Sequence, residues 1–233
     1  MKIAIIPARA GSKRIPKKNI KNFCGRPIIS FAIKSAIKSR LFDRIIVSTD
    51  SKKIASIAKK YNAEVPFYRP RNLSGDKTGT AEVIAHAIRW LKKNGTNPKA
   101  VCCIYATAVL IDSKDIVRAF NKFRSGKWNY VFSATTFSTT IQKAFKKNKR
   151  GIKMFFPKKI WNKKRSQEIE AAYHDAAQFY WGKSEAWLKM KPIFSKLSTI
   201  NPVSRWRACD IDTLEDWKQA ETSYKISVKK NND

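Results

Sequence analysis

The sequence predicts an α/β fold, a mostly parallel sheet with helices on both faces, from three observations. Short apolar runs alternate with stretches of helical period in the order β-α-β-α-β. The first run, Ile3 to Ile6, ends at once in a basic loop containing Gly11. The run Ala100 to Tyr105 is apolar throughout, as a central parallel strand covered on both faces must be.

Taken in order, Ile3–Ile6 is the first strand, and Ile28–Ser39 carries Ile29, Ala32, Ile33, Ala36 and Ile37 at helical spacing. Arg44–Thr49 reads as the second strand, with Asp50 and Ser51 as candidate N-caps for a helix over Lys52–Tyr61. Glu64–Tyr68 is a short third extended piece, and Arg69 to Thr80 a polar loop. Glu82–Lys93 is helical, Ala100–Tyr105 the fourth strand, Ser113–Ser125 a helix capped by Ser113, and Tyr130–Thr135 the fifth strand. From Ser138 to about Asp175 the rhythm breaks, and lysines and arginines interleave with Phe145, Phe155, Phe156 and Trp161. Residues 138–175 read as an inserted arm. Its composition suits either stacking on single-stranded nucleic acid or packing on a partner subunit, the reading favoured here. Ala176–Trp181 is a strand, Glu185–Lys189 a short helix, then comes a proline-marked loop. Leu214 to about Tyr224 is an amphipathic helix, which leaves 1–224 as a single domain and 225–233 as a disordered tail.

A chain of 233 residues suffices for one sizeable α/β domain with an insertion. Lysine plus arginine number 49 against 17 acids, a net charge of +32 spread along the whole length. That balance favours anionic partners without choosing among them. No apolar stretch approaches a membrane span, and the N-terminus enters a strand too soon for a signal peptide. Cys24, Cys102, Cys103 and Cys209 form no C-x-x-C pair or secreted-type framework, which fits the cytoplasm. Cys102 and Cys103, adjacent in a strand, should face opposite sides of the sheet.

Two stretches carry chemistry. The loop after the first strand crowds Arg9, Lys13, Arg14, Lys17 and Lys18 around Gly11 and Ser12. Such a loop cradles phosphate through backbone N–H groups and cations, although a solvated basic loop has the same composition. It matches neither common glycine-rich fingerprint. Near the other end, Asp210 and Asp212 flank Ile211. In an extended segment both carboxylates share a face, and Mg²⁺ bridging to phosphate relieves their repulsion. Alternatively Asp212 or Thr213 caps the last helix. His86 and His174 are too few for an ordinary zinc site.

The run Ile6–Ile20 resembles the signature loop of CMP-sialic acid synthetases (acylneuraminate cytidylyltransferases). Phe42–Asp50 resembles their second strand and Cys209–Asp216 their C-terminal metal motif. Within the family, Cys102–Tyr105, Arg165–Glu168 and Tyr173–Gly182 most resemble the pseudaminic acid cytidylyltransferase branch. The resemblance covers Met1 to about Tyr224.

The resemblance implies a Rossmann-like, GT-A-like nucleotidyltransferase fold and a Mg²⁺-dependent reaction of CTP with an acidic nine-carbon α-keto sugar. By it, Ala8, Arg9, Ala10, Gly11, Ser12, Lys18 and Asn19 surround the triphosphate, while Arg69 and Thr80 line the cytidine side. Asp210 and Asp212 hold the metal, and Arg9, Lys18 and Asp212 carry catalysis. Lys143, Arg165, His174, Gln178 and Tyr180 contact the sugar. Family members are homodimers whose arm reaches the neighbouring site, with no nucleic acid or membrane partner implied. Pseudaminic acid is the expected sugar; N-acetylneuraminic acid, legionaminic acid and Kdo are the close rivals, and a basic nucleic-acid-binding protein is the alternative of another class. One departure stands out. The family's Pro-Thr-[SA]-Pro turn reads Ala106-Thr107-Ala108-Val109 here, which predicts a looser loop beside the nucleotide.

Overall fold

The computed structural model describes residues 1–157 and 169–229. Its elements are β1 (Lys2–Pro7), β2 (Asn22–Phe23), β3 (Arg26–Pro27), α1 (Ile29–Lys38), β4 (Arg44–Ser48), α2 (Lys52–Lys60), α3 (Thr80–Lys93) and β5 (Ala100–Ile104). There follow α4 (Ser113–Phe123), β6 (Tyr130–Thr136), β7 (Phe145–Asn148), β8 (Gly151–Met154), β9 (Tyr173–Lys183), α5 (Ser184–Leu188), β10 (Ser198–Pro202) and α6 (Leu214–Lys229).

The main sheet has the order β10-β6-β9-β5-β1-β4. β1 runs parallel to β4 and β5, and β10 parallel to β6, whereas β9 is antiparallel to both its neighbours. Alternation along the strands builds a core on each face. Ala4 and Ile6 of β1 join Cys102 and Ile104 of β5 under α1, α2 and α4, while Ile3, Ile5, Val101 and Cys103 face α3 and α5. The two cysteines therefore point to opposite sides, as expected, and both are fully buried. A third cluster packs Trp217 and Ala220 of α6 with Ile211, Ile15 and Phe23. That cluster seats the last helix against the loop that follows β1.

Several boundaries differ from expectation. Glu64–Tyr68 makes only isolated bridges among the described residues, Glu64 with Ile46 of β4 and Tyr68 with Thr49 just beyond it, because Pro66 supplies no amide for a continuous ladder. Asp112, not Ser113, caps α4 by accepting from the Lys114 amide at 2.9 Å. Ser51 caps α2. The proline-marked loop contains β10, and α6 extends to Lys229, so part of the expected tail is helix; residues 230–233 lie outside the described residues. The arm holds a regular hairpin, β7–β8.

β9 is bulged against β6 between Phe132 and Ala134. There Ala177 takes a left-handed backbone (φ 50°), and Ser133 Oγ accepts from the Gln178 and Phe179 amides, each at 3.3 Å. A bulge re-aims the strand end that follows or precedes it, here the end bearing Asp175.

Candidate active site

A cleft of about 590 Å³ opens where β1 and β5 end, between the loop after β1, the segment before α3, the turn after β5 and the segment before α6. Binding at the carboxyl ends of strands is usual for open α/β sheets. Its walls include Arg9, Ser12, Lys18, Asn19, Arg69 and Thr80 on one side and Asp210 and Asp212 on the other.

The loop is pinned from within. The Asn19 amide donates to the Arg9 carbonyl at 2.9 Å, and the Ala10 N–H donates to Asp50 Oδ1 at 2.8 Å. Asp50 is therefore a loop anchor, a role its candidacy as a cap concealed. Lys17 adopts a left-handed backbone (φ 55°) that starts a 3₁₀ turn over Lys18–Ile20. The Ala8 and Ser12 amides bond to the Ser48 and Ala10 carbonyls, so with Ala10 three expected amide donors are engaged inside the protein. A Cβ built at Gly11 would meet no atom of the described residues within 4 Å beyond its chain neighbours, so packing among them does not demand glycine there.

Lys18 joins the two ends of the chain. Its Nζ donates to the Ile211 carbonyl at 2.6 Å and lies 3.1 Å from Asp212 Oδ1. Arg14 reaches the other oxygen of Asp212 at 2.9 Å. Ile211 is fully buried, which turns Asp210 and Asp212 toward the same cleft. The helix cap is supplied elsewhere: Asp216 accepts from the Thr213 amide and hydroxyl at 2.7 and 2.8 Å, and Thr213 Oγ1 accepts from the Asp216 amide at 3.2 Å. Capping thus leaves the Asp212 carboxylate to the cleft. Although Asp210 reaches solvent, the surrounding walls desolvate it enough to raise its pKa, and Asp212 adds to the rise. A carboxylate pair with that charge surplus, beside a basic loop, is a donor set that suits Mg²⁺ with phosphate. No cluster of three or more acidic, histidine or cysteine ligands occurs among the described residues.

Arg69 is 6 % exposed, and its Nε and Nη2 have no partner among the described residues. Burial lowers its pKa, Asp50 opposes that, and Arg9 lowers it further. A buried guanidinium without a partner on the wall of a cleft is a ready anion or carbonyl ligand. Across from it the Tyr105 and Thr80 hydroxyls meet at 3.0 Å. Burial raises the Tyr105 pKa to about 12, so it remains a neutral hydrogen-bonding group.

The turn after β5 is not loose. Ala106, Ala108 and Val109 are buried, and the Val109 amide donates to the Thr107 carbonyl at 2.8 Å. Proline has no such N–H, so a hydrogen bond does here what rigidity does in the Pro-bearing turn.

The expected sugar residues do not line this cleft. Tyr180 is 2 % exposed and donates to Asp175, and Gln178 is equally buried and donates to the Arg207 carbonyl. Both brace the wall from behind, because β9 is covered on both faces. His174 is exposed, its ring edge-on to Phe137 at 4.8 Å. Lys143 lines a second cavity of about 520 Å³ at the base of the arm, together with Thr136, Phe137 and Ala172. Arg165 lies outside the described residues. A brace that sequence reasoning missed is Asp115 on α4, fully buried and paired with Arg118 and Arg207. Arg207 stands three residues before Asp210.

A family model described as cytidylyltransferase matches residues 3–229. The chain is 41% identical over 225 residues to a Campylobacter jejuni protein named pseudaminic acid cytidylyltransferase, covering 97% of each. It is 34% identical over 210 residues to a Helicobacter pylori protein named as that enzyme joined to a hydrolase, covering 90% of this chain and 40% of that one. Among solved structures, a CMP:2-keto-3-deoxy-manno-octonic acid synthetase complexed with CTP superposes with a TM-score of 0.71 at 13% identity, covering 95% of this chain and 97% of the other. That likeness is one of fold.

Proposed function

The chain belongs to the cytidylyltransferase family, and on that basis we propose that it joins CTP to pseudaminic acid, releasing pyrophosphate. The sugar's anomeric hydroxyl attacks the α-phosphorus, the bond from that phosphorus to the bridging oxygen breaks, and the CMP-sugar forms. The observation that carries the reading is the cleft in which Lys18 of the first loop bonds to Ile211 and Asp212 near the other end of the chain. A cationic loop and a carboxylate pair held this way suit a metal-bound triphosphate better than a nucleic acid backbone, which the many surface lysines alone would favour.

In this proposal Arg9 and Lys18 offset the charge that develops on the leaving pyrophosphate, with Ser12 beside them. Asn19 and Asp50 keep the loop in shape. Arg69 offers its unpartnered guanidinium to the nucleotide, and Thr80, fixed by Tyr105, borders the cytidine side. Asp210 and Asp212 would hold Mg²⁺, which when bound supplies a Lewis acid toward the α-phosphate and the attacking hydroxyl. Lys18 and Arg14 keep the Asp212 carboxylate oriented until then.

The sugar would be met by the arm, with Lys143 and Arg165 as cations for its carboxylate. Phe145, Ile152 and Phe155 on and beside the hairpin are more than half exposed, which supports a homodimer that covers them. Four unbridged cysteines favour a reducing, cytoplasmic setting, and no described helix is long and apolar enough to cross a membrane.

Protein, CTP, Mg²⁺ and pseudaminic acid together should release pyrophosphate, and Asp212→Ala should abolish release while leaving the thermal melt intact. Absence of pyrophosphate with every nine-carbon keto sugar in a panel would sink the reading.

A further inference from the structure

Two cations of the cradle already have an anion. Asp76, in the segment between Arg69 and α3, lies 2.6 Å from Arg9 Nη1 and 2.5 Å from Lys13 Nζ. These contacts hold its carboxyl below the usual range, with Lys13 contributing most and Arg9 next. Its neighbours Arg69, Thr78 and Thr80 line the cleft, and Asp76 itself forms part of the wall. The carboxylate therefore spans the cleft mouth from the segment on one side to the loop on the other. Nothing in the packing locks it there: the Asp76 side chain is 42% exposed and Lys13 82%.

We propose that Asp76 is an exchangeable counter-ion for the phosphate cradle, displaced when the triphosphate binds and returned to Arg9 and Lys13 as pyrophosphate leaves. The inference rests on the triphosphate reading above. Five cations crowd this loop, and bare they would repel one another and hold a multiply charged product tightly. A single carboxylate on an exposed segment neutralises part of that charge but loses to a polyphosphate. Asp76 thus weakens CTP binding and speeds release of pyrophosphate, a trade of affinity for turnover. Lys13, which touches only this carboxylate among the described ion pairs, becomes a pyrophosphate contact when the exchange occurs.

The test is calorimetric titration of inorganic pyrophosphate and of CTP into wild type, Asp76→Asn, Asp76→Glu, Lys13→Ala and the Asp76→Asn/Lys13→Ala double variant, with steady-state kinetics alongside. Asp76→Asn should bind pyrophosphate about threefold to tenfold tighter, the scale of two partly exposed ion pairs. It should also lower the KM for CTP, strengthen product inhibition by pyrophosphate and lower kcat, whereas Asp76→Glu should resemble wild type. In the Lys13→Ala background the gain from Asp76→Asn should shrink, because a charge effect acting at long range would persist there. Unchanged or weaker pyrophosphate binding by Asp76→Asn, with CTP still bound, overturns this inference alone; so does a gain undiminished by Lys13→Ala. Wild type that binds neither CTP nor pyrophosphate overturns the triphosphate reading together with it.

Discussion

Asp115→Asn should destabilise the protein and disturb the site at once. The Asp115 side chain is fully buried and accepts from Arg207 and Arg118, whose side chains are 25% and 60% exposed. Removing one partner of a buried pair costs about 3–5 kcal/mol. Solvent reaches Arg118 and part of Arg207, so a smaller loss of about 2–3 kcal/mol is expected here. For a chain of this size each kcal/mol lowers Tm by about 2–4 °C, which predicts a fall of about 4–12 °C in a thermal melt followed by circular dichroism. The pairing is unequal: Arg118→Ala, which removes the more exposed partner, should cost under about 1 kcal/mol, and Arg207→Ala clearly more. Arg207 is also held through its carbonyl by Gln178, and Asp210 follows shortly after it. Pyrophosphate release by Asp115→Asn should therefore fall at a temperature where the variant is still folded. A melt within about 2 °C of wild type, or equal losses from the two arginine variants, would refute the reasoning.

Lys18→Ala should raise the KM for CTP about tenfold or more while changing the KM for the sugar little, since a charge-assisted bond contributes about 1.5–3 kcal/mol; initial-rate kinetics with each substrate varied will show it. Gly182→Ala should cost about 1–3 kcal/mol or more in urea unfolding, because its Cβ would overlap Trp187 Nε1 and stand 2.7 Å from a Tyr130 ring carbon. Thr213→Ala should cost about 1 kcal/mol by loss of the α6 cap. Thr213 also holds the Asp216 carboxyl below its ordinary range, so that contribution is complete above the ordinary value and is lost as pH falls through the depressed one. Asp216→Asn should accordingly flatten the acid limb of the stability curve.

The central fold was legible because burial on both faces writes itself into composition. Ile3–Ile6 and Ala100–Ile104 are apolar at every position, and α1 and α3 show their period plainly. The direction of β9 was not, since an apolar run reports burial and carries no sign for polarity. A clue existed in the arm: its sequence lacks the regular βα rhythm that a parallel crossover ordinarily brings. β10 escaped because it is an edge strand among the described residues, pairing with β6 and holding a proline at its end, so little of it is apolar. In the site, Arg9, Lys18, Asp210 and Asp212 were legible as charge clusters. Asp50 and Asp115 were not, because their partners are backbone groups and distant arginines that only the folded chain brings near. Tyr180 and Gln178 were expected at the sugar from the family resemblance, yet strand alternation under a covered sheet puts them behind the wall.

The reversal of β9 has an architectural consequence. Its first residue, Tyr173, sits beside Thr136 at the end of β6, so the chain leaves and re-enters the sheet at one rim, the rim that bears the chemistry. Everything between those two points can lengthen, shorten or change sequence without moving a core residue or re-threading the topology. Under the proposed function, evolution and engineering alike are thus offered a modular slot for acceptor recognition, with the cleft proposed for the nucleotide kept intact beside it.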